Sequence, residues 1–415
     1  MFRGMMHVGV DDTDSESGMC TTYLGAVLMR RLADVAEVAE ARLVRLNPNI
    51  RYKTRGNAAV ALSLRTGREE RVKKEVLRTV EELADMHSPA TSPGVVFWWG
   101  EVPESFRSFY WRCMHEVVEV EEAERLLRQE GAEYVKYKLG RGIVGALAAI
   151  GAELEARTYE YIAYRSPERW GTERKVCAES VRRMNLLTYP LTFNNVDEDG
   201  RVLITPHTPC PVLFGIRGVS EQVVREAAEM VVAHEPVAMH AVYVSNQATD
   251  AHLQEVSRVA EVKPMSSVVL RGRVASRPEV IEGGHVFFRL RDDEGEEITC
   301  AAFEPTKRFR RVVRALLPGD VVRVYGGVNE RRQLNLERLE VLRLVRHRAA
   351  NPKCQRCGRR MKSAGRGQGY RCRRCGTKAK GKTLERVERE IEERVYQVPP
   401  GAMRHLARPL VLPGV

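Results

Sequence analysis

The sequence predicts a multidomain α+β protein, with mixed helix–strand domains first and a β-barrel with a metal-binding knuckle after them. At 415 residues the chain exceeds the length at which a single core keeps growing, so two to four domains are expected. Strand-length apolar segments alternate with amphipathic helical patterns up to about residue 260, whereas strand patterns dominate after it. Two Cys-x-x-Cys pairs close to the C-terminus indicate a small metal-stapled unit.

The first segment predicts a sheet backed by helices. Its order is strand, helix, strand, strand, helix, strand, at residues 7–10, 21–32, 41–46, 58–64, 69–86 and 95–99. The order βαββαβ is typical of ferredoxin-like sheets. A second α/β unit follows, up to about residue 260.

The segment after residue 264 predicts an OB-fold barrel. Three strands, a basic helix and two further strands are expected at residues 268–274, 285–291, 297–303, 306–316, 321–325 and 333–344. Strand alternation alone is equally typical of an SH3-like barrel, but the helix after the third strand favours the OB plan, whose open face binds oligonucleotides. A last helix is expected over residues 384–395.

The cysteines near the C-terminus predict a zinc ribbon. Cys354 and Cys357, then Cys372 and Cys375, supply four thiolates for a tetrahedral Zn²⁺. Chance pairs or two disulfides are the alternative. The five other cysteines are odd in number and scattered, which favours reduced thiols in a cytoplasmic protein.

The charge distribution predicts a nucleic-acid partner. The net charge of +12 divides into −5 for residues 1–260 and +17 for residues 261–415, and residues 346–380 hold thirteen Lys or Arg with no Asp or Glu. Such an asymmetry favours chemistry in the first part and phosphate binding in the second. A solvated basic surface is the alternative. No signal peptide or long apolar run occurs, so we expect no membrane partner.

A carboxylate loop follows the first predicted strand. Asp11, Asp12 and Asp14 stand at its carboxyl end, where oxygen ligands can hold Mg²⁺. The next helix begins near Thr21 and offers backbone N–H groups and a positive dipole end to a phosphate. This layout is typical of phosphoryl transfer, although an acidic turn that caps the helix is the alternative.

Two cation-bearing loops are weaker signals. Residues 53–57 (KTRGN) place two cations beside Gly56, and residues 208–218 (TPCPVLFGIRG) end in a segment that carries Arg217. Glycine permits close approach of the backbone to a ligand. Ordinary solvated loops explain both segments equally well.

Together these segments resemble the archaeal tRNA(Ile)-agmatinylcytidine synthetase (TiaS) family. The resemblance runs in one order along the chain, through residues 9–15 (GVDDTDS), 18–24 (GMCTTYL), 53–57, 140–152 (GRGIVGALAAIGA), 171–174 (GTER), 208–218, 282–288 (EGGHVFF), 301–307 (AAFEPTK) and 357–370 (CGRRMKSAGRGQGY). It implies an ATP-dependent ligase that joins agmatine to C2 of the wobble cytidine in a CAU anticodon, giving agmatidine. ATP activates the C2 oxygen as a phosphate ester, which the agmatine amine displaces.

The resemblance also implies domains and site residues. The expected units are a kinase-like domain (1–135), a ferredoxin-like domain (136–262), an OB fold (263–345), a zinc ribbon (346–380), and a C-terminal helix and tail (381–415). The expected catalytic residues are Asp11, Asp12, Asp14 and Thr21, the last as the autophosphorylated threonine, with Mg²⁺ on Asp11 and Asp12. The expected ATP-binding residues are Gly18, Thr21, Thr22, Lys53, Arg55, Gly56 and Arg217. The expected tRNA-binding residues are Phe287, Phe288, Arg359, Arg360, Lys362, Arg366, Tyr370 and Arg371.

Two further expectations concern partners and the division of labour. We expect a monomer that takes up ATP, agmatine and an isoleucine tRNA, with a structural Zn²⁺. A non-catalytic single-strand binder of OB-fold and zinc-ribbon type is the alternative, but it leaves the acidic loop without a role. We also expect removal of residues 346–415 to weaken tRNA binding while the ATP site survives.

Overall fold

The computed structural model describes residues 4–51, 53 and 56–412. Within them, the strands are β1 (Met6–Asp11), β2 (Glu37–Arg45), β3 (Ala58–Arg65), β4 (Gly94–Trp99), β5 (Glu133–Lys136), β6 (Thr158–Tyr164), β7 (Thr192–Phe193), β8 (Val212–Gly218), β9 (Met239–Ser245), β10 (Gln254–Val256), β11 (Ser267–Val274), β12 (Glu279–Val280), β13 (Val286–Arg291), β14 (Glu297–Ala302), β15 (Val321–Val328), β16 (Leu334–Arg343), β17 (His347–Ala350), β18 (Lys362–Ser363), β19 (Tyr370–Arg371), β20 (Lys378–Ala379), β21 (Thr383–Arg386) and β22 (Val395–Gln397). The α-helices are α1 (Thr21–Leu32), α2 (Glu69–Leu83), α3 (Glu104–His115), α4 (Val120–Glu130), α5 (Gly142–Gly151), α6 (Ala178–Thr188), α7 (Glu221–Glu229) and α8 (Arg308–Arg314).

The first part of the chain has the predicted βαββαβ order, and its strands lie side by side as β4-β1-β3-β2 in antiparallel pairs. Successive side chains of a strand point to opposite faces. Met6, Val8 and Val10 of β1 therefore pack in the core that α1 and α2 cover. The other face is covered by α3, α4 and α5. The sheet is thus closed on both sides by helices.

A second group of strands continues the same sheet. The parallel pairing of β2 with β9 extends the order to β5-β4-β1-β3-β2-β9-β6-β8-β7. Helices α6 and α7 pack on the added strands through their own core. The two predicted N-terminal domains therefore share one sheet, and α5, which follows the predicted boundary at residue 135, packs against β1.

The predicted OB fold is confirmed. Strands β11, β15, β16, β14 and β13 pair in that order, and pairing of β11 with β13 closes the barrel. Helix α8 lies between the third and fourth barrel strands, as the sequence predicts. Apolar side chains of alternate barrel positions fill the interior, with Phe309 and Val313 of α8 packed among them.

The predicted helix over residues 384–395 is wrong. Strand β21 pairs antiparallel with β17, and β22 adds to β16 of the barrel. Between them, Arg389 donates to both carboxylate oxygens of Asp320 at 2.7 Å, and Ile391 joins the barrel core. Asp320 is fully buried, so this pair and the strand pairings outweigh the helical propensity of the local sequence.

The last part of the chain, residues 395–412, returns to the N-terminal sheet. We call these residues the C-terminal segment. After β22, the backbone oxygens of His405 and Leu406 accept hydrogen bonds from the amides of Ala248 and Asp250, at 2.8 and 2.9 Å. Leu406 is 1% exposed and belongs to the core that α3 and α5 share with the sheet.

None of the helices in the described ranges is long and apolar enough to cross a membrane.

Candidate functional site

A cavity of about 1220 Å³ lies where the sheet, the OB barrel and the C-terminal segment meet. Most of the residues expected at the catalytic and ATP sites line it: Asp11, Asp12, Asp14, Thr21, Thr22, Lys53, Gly56 and Arg217. Gly18 is not among the lining residues, and Arg55 lies outside the described residues. The fold therefore brings together acidic and cationic residues that are far apart in the chain.

The acidic side of the cavity is the end of β1. The carboxylate of Asp12 accepts a hydrogen bond from the Ser92 amide at 3.1 Å and lies 3.5 Å from Nε of Arg141. Asp12 has a φ of 56°, a left-handed conformation that aspartate tolerates better than most residues. Held from both sides, this carboxylate has a fixed position at the cavity wall.

Helix α5 approaches Asp11 closely because its first turn contains Gly142 and Gly145. A Cβ on Gly145 would lie 1.8 Å from Oδ2 of Asp11, and one on Gly142 would lie 2.4 Å from the Asp11 backbone oxygen. Glycine removes this clash. The small-residue pattern at residues 140–152 thus has a structural explanation: it seats the start of α5 against the acidic strand end.

Burial shifts the titration of the acidic pair. It raises the pKa of Asp12 to about 6, against the opposing effect of Arg141. Burial, followed by the charge of Asp12, raises the pKa of Asp11 well above its usual range. A bound cation favours the charged carboxylates. The pair is therefore suited to a site that becomes fully ionised when a divalent cation arrives.

The three carboxylates do not form a cage of their own. Among residues 4–51, 53 and 56–412, the group of three or more potential ligands that lies within 4.8 Å is the set of four cysteines. Mg²⁺ is commonly held by one or two carboxylates together with substrate phosphates. The donor set of Asp11 and Asp12 fits that type of site, in which the ligand supplies the remaining oxygens.

Thr21 and Thr22 begin α1 at the cavity wall. The hydroxyl of Thr13 donates to the hydroxyl oxygen of Thr21 at 3.1 Å, and Tyr243 donates to the Thr22 backbone oxygen at 2.6 Å. Thr21 is only 4% exposed, so a group that reacts with its hydroxyl must enter the cavity. The helix start also presents amide groups to an anion.

On the cationic side of the cavity, two arginines lie around the carboxylate of Glu160, a residue of β6. Its carboxylate lies 3.8 Å from Arg45 and 3.5 Å from Arg217, and it accepts a hydrogen bond from Gln247 at 2.6 Å. Burial lowers the pKa of both Arg45 and Lys53. The sequence reasoning missed Arg45. Its signal was an arginine directly after the buried Leu43 and Val44 at the end of β2, where a charge taken out of water needs a partner.

The C-terminal segment forms part of the cavity wall, through Pro399, Pro400, Gly401, Met403 and His405. Removal of residues 346–415 would take away this part of the cavity wall. The structure therefore does not support the expectation that the ATP site survives that removal, and the expectation stays a prediction. No local pattern in the sequence reveals this return, since its contacts join residues as distant in the chain as Asn49 and Arg404.

The four cysteines of the ribbon are gathered as predicted. Their sulfur atoms are 3.3 Å apart for Cys354 and Cys375, 3.4 Å for Cys357 and Cys372, and 3.7 Å for Cys357 and Cys375. Four thiolates at about 2.3 Å from a zinc ion lie roughly 3.8 Å from one another in a tetrahedron. The cluster therefore fits Zn²⁺, and its cysteines are free thiols rather than disulfides.

The residues expected at the RNA interface differ in how far their side chains are exposed to solvent. Arg359, Lys362, Arg366 and Arg371 are exposed, as is Arg360, which pairs with Glu385 at 2.7 Å. Tyr370 is half-buried against the ribbon core. Phe287 is half-buried, edge-on to Phe303. Phe288 is 2% exposed inside the barrel, so the prediction that it binds tRNA is wrong.

Known proteins match this chain over nearly its full length. Family models match in four places: the TiaS TCKD domain (residues 7–76), the TiaS FLD domain (140–252), an OB-fold nucleic acid binding domain (268–342) and the TiaS C-terminal zinc ribbon domain (351–391). The isoleucine-tRNA 2-agmatinylcytidine synthetase TiaS of Methanosarcina mazei is 46% identical, over 98% of this chain and 97% of the relative. That of Archaeoglobus fulgidus is 46% identical, over 97% and 96%. The chain belongs to the TiaS family.

Solved TiaS structures share the fold along the full chain. A complex of TiaS with its isoleucine tRNA and ATP superposes with a TM-score of 0.91 at 44% identity, and a complex with the tRNA, AMPCPP and agmatine with 0.88 at 41%. Each comparison covers 99% of this chain and 98% of the other. The match to the TCKD model contains Asp11, Asp12 and Thr21, whereas Arg217 lies in the match to the FLD model. The cavity thus lies between two TiaS domains.

Proposed function

We propose that this chain is an ATP-dependent tRNA(Ile)-agmatinylcytidine synthetase. It joins agmatine to C2 of the wobble cytidine in the CAU anticodon, so that the product pairs with A in the codon AUA. Full-length similarity to TiaS proteins supports the proposal. The observation that carries it is one shared cavity, around which lie the acidic end of β1, the start of α1 and a set of partly buried cations.

The chemistry requires activation of a poor electrophile. The C2 carbonyl of cytidine is amide-like, and its oxygen is a poor leaving group. Transfer of a phosphoryl group from ATP to that oxygen corrects both defects, after which the agmatine amine forms the C2–N bond and phosphate departs. The enzyme contributes mainly positioning and charge stabilisation in such a transfer.

In the proposed site, Asp11 and Asp12 hold Mg²⁺, which supplies positive charge to the phosphates when bound. Asp14 completes the acidic wall, and Thr21 is the residue that accepts a phosphoryl group in autophosphorylation. The close packing of α5 on Asp11 fixes the strand end. The raised pKa values of the pair make cation binding and carboxylate ionisation mutually dependent.

Phosphate contacts are assigned to the cationic side. Lys53 and Arg217 line the cavity, and Gly56 leaves space for the close approach of the Arg45 guanidinium. Thr22, Gly18 and Arg55 complete the proposed ATP-binding set. We add Arg45, because it is held in the same cluster by Glu160. Agmatine is a dication, and acidic lining residues such as Glu116, Glu119 and Asp197 suit it electrostatically.

The remaining chain is assigned to tRNA. The OB barrel and the ribbon carry the exposed cations and the half-buried rings of Phe287 and Tyr370, which suit backbone contacts and stacking. The proposed division is kinase-like (1–135), ferredoxin-like (136–262), OB (263–345) and zinc ribbon (346–380). The non-catalytic alternative accounts for these last units and gives the cavity no role, so the catalytic function is favoured.

The test is incorporation of agmatine into tRNA. Full-length protein is incubated with an unmodified transcript of the isoleucine tRNA that carries the CAU anticodon, ATP, Mg²⁺ and agmatine, and the digested nucleosides are analysed by mass. We expect a new nucleoside only when all components are present. The variant Arg217→Ala should lose most of the activity, whereas Arg225→Ala, which removes an exposed arginine paired with Glu221 on α7, should keep it. A wild-type reaction without ATP-dependent product contradicts the proposal.

A further inference from the structure

The C-terminal segment brings a histidine into the cavity. His405 lines it, and the backbone hydrogen bonds of residues 405 and 406 to Ala248 and Asp250 hold this part of the segment against the loop that follows β9. Leu406, the next residue, is anchored in the core. The imidazole is therefore fixed in the cavity wall by the fold, although it lies only ten residues from the end of the sequence.

The surroundings of His405 are strongly cationic. A Cβ on Gly56 would lie 2.4 Å from Nη1 of Arg45 and 3.2 Å from Cε1 of His405, so the guanidinium and the imidazole share one contact point. The charged or titratable groups around this region are Asp14, Cys20, Arg45, Lys53, Glu160, Arg217 and Arg404. Arg45, then burial, then Arg217 and Lys53 hold the pKa of His405 well below its usual range.

Among the residues that the structure describes, the carboxylate that forms ion pairs with Arg45 and Arg217 only partly balances the positive charge of Arg45, Lys53 and Arg217. Glu160 is the carboxylate that pairs with both Arg45 and Arg217, and Lys53 adds a further positive charge. Buried charge without a partner is costly. An anion that enters the cavity here relieves that cost and, by the same attraction, favours the charged form of a neighbouring imidazole.

We propose that His405 is a phosphate-contacting residue of the cavity, and that it takes up a proton when a phosphate group binds among Arg45, Lys53 and Arg217. The proposal rests on the proposed function, in which that phosphate belongs to ATP. A phosphate of the tRNA backbone has the same chemistry. The C-terminal segment is then part of the nucleotide-handling site and not solely an extension of the RNA-binding region.

The sign of the linkage follows from the charges. In the free protein the imidazole is neutral at neutral pH, whereas a bound phosphate raises its pKa. Between the two pKa values, binding draws a proton from solution. Phosphate affinity should therefore decrease as pH rises through the pKa of the complex, and this decrease should disappear when residue 405 cannot titrate.

The experiment is calorimetric titration of the full-length protein in buffers of low and high ionisation enthalpy at about pH 7, near the titration range of histidine. One arm uses ATP with Mg²⁺, and the other uses the isoleucine tRNA transcript without ATP. The measured quantity is the number of protons taken up per ligand. We expect the wild type to take up more protons than His405→Gln in the ATP arm. The control, His240→Gln, removes an exposed histidine that stacks on Tyr161 and should match the wild type.

The outcomes separate the hypotheses. A difference between wild type and His405→Gln in the ATP arm supports the proposal with ATP as the source, and a difference confined to the tRNA arm supports it with the RNA backbone as the source. Equal proton uptake by both proteins in both arms overturns it. If the wild type binds no ATP at all, the proposed function fails, while the tRNA arm still tests His405.

Discussion

The charged residues of the cavity and those of the zinc ribbon are held in place by different means. Around the cavity, carboxylates and cations extend from strands of one large sheet, and helices cover both faces with extensive apolar cores. In residues 351–391, the cations extend from short strands and the turns between them. The buried apolar cluster there consists of Cys354, Met361 and Cys372 with a few partly buried neighbours. Packing positions the first set of charges, whereas the metal site must position the second.

This difference separates two kinds of vulnerability. A side chain of the cavity is held by many contacts, so its substitution should lower the free energy of unfolding, either by straining its neighbours or by leaving a cavity in a core. The ribbon depends on four thiolates, so loss of one should unfold it locally while the sheet remains.

The largest effect is expected from the ribbon. Cys372→Ser removes a zinc ligand that is 2% exposed, so the ribbon should unfold and its cations should no longer be held in one arrangement. Loss of several phosphate contacts lowers tRNA affinity by about 10³-fold or more at physiological salt and flattens the salt dependence. Filter binding at several salt concentrations measures both quantities.

The matched control is Cys177→Ser, which lies outside the four-cysteine cluster at the start of α6. It should bind tRNA like the wild type, and both variants should keep the main thermal transition. An unchanged salt slope in Cys372→Ser shows that the ribbon does not contact the RNA.

A smaller effect is expected where the C-terminal segment enters the core. Leu406→Ala should lower the free energy of unfolding by about 2–5 kcal/mol, because it leaves a hole among residues of α3, α5 and the sheet. Leu410→Ala is the control, since this side chain is 50% exposed and its loss should change stability by less than about 0.5 kcal/mol. Denaturant unfolding distinguishes the two; equal effects exclude an anchoring role for Leu406.

The third prediction concerns how the stability contributed by Asp12, in the acidic wall of the cavity, depends on pH. Its pKa rises from 3.8 to about 6 on folding, so the folded state favours the protonated form. The contribution to stability is full below about pH 4 and is lost as pH rises through 6, by up to about 3 kcal/mol at 1.4 kcal/mol for each pKa unit. Asp12→Asn should therefore be more stable than the wild type at pH 8 in Mg²⁺-free buffer and equal to it near pH 4. Thermal unfolding against pH measures the gap, and added Mg²⁺ should narrow it. A gap that does not vary with pH contradicts the assignment.

The sequence predicted those features that local patterns determine. The βαββαβ order and the barrel strands follow from periodicity, and the four-cysteine site follows from spacing. Long-range contacts account for the misses. The segment that contains Arg389 forms no helix because Asp320, far away in the chain, binds its guanidinium. Phe288 alternates with Phe287 along β13, and only the closed barrel shows which of the two rings faces inward.

The candidate site shows the same limit. Asp11, Thr21 and Lys53 belong to motifs that the sequence displays, and the fold places them on one cavity. Arg45 and His405 belong to no motif, because their significance depends on neighbours from other elements. A single segment of the sequence shows which residues form a motif. Which charged residues lie next to each other in the folded protein is seen only in the tertiary structure.

The smallest effect on stability, with the sharpest readout, is expected at Gly145. Gly145→Ala places a methyl group 1.8 Å from the position of Oδ2 of Asp11, so the helix and the strand end must separate. The expected loss in the free energy of unfolding is about 1–3 kcal/mol. Because the displaced group is a proposed Mg²⁺ ligand, ATP-dependent agmatine incorporation should fall further than the stability loss explains, and more Mg²⁺ should be needed for half-maximal rate. Gly67→Ala is the control, since a Cβ there meets nothing within 4 Å. Normal Mg²⁺ dependence in a folded Gly145→Ala protein would show that the fit of α5 against Asp11 serves packing alone.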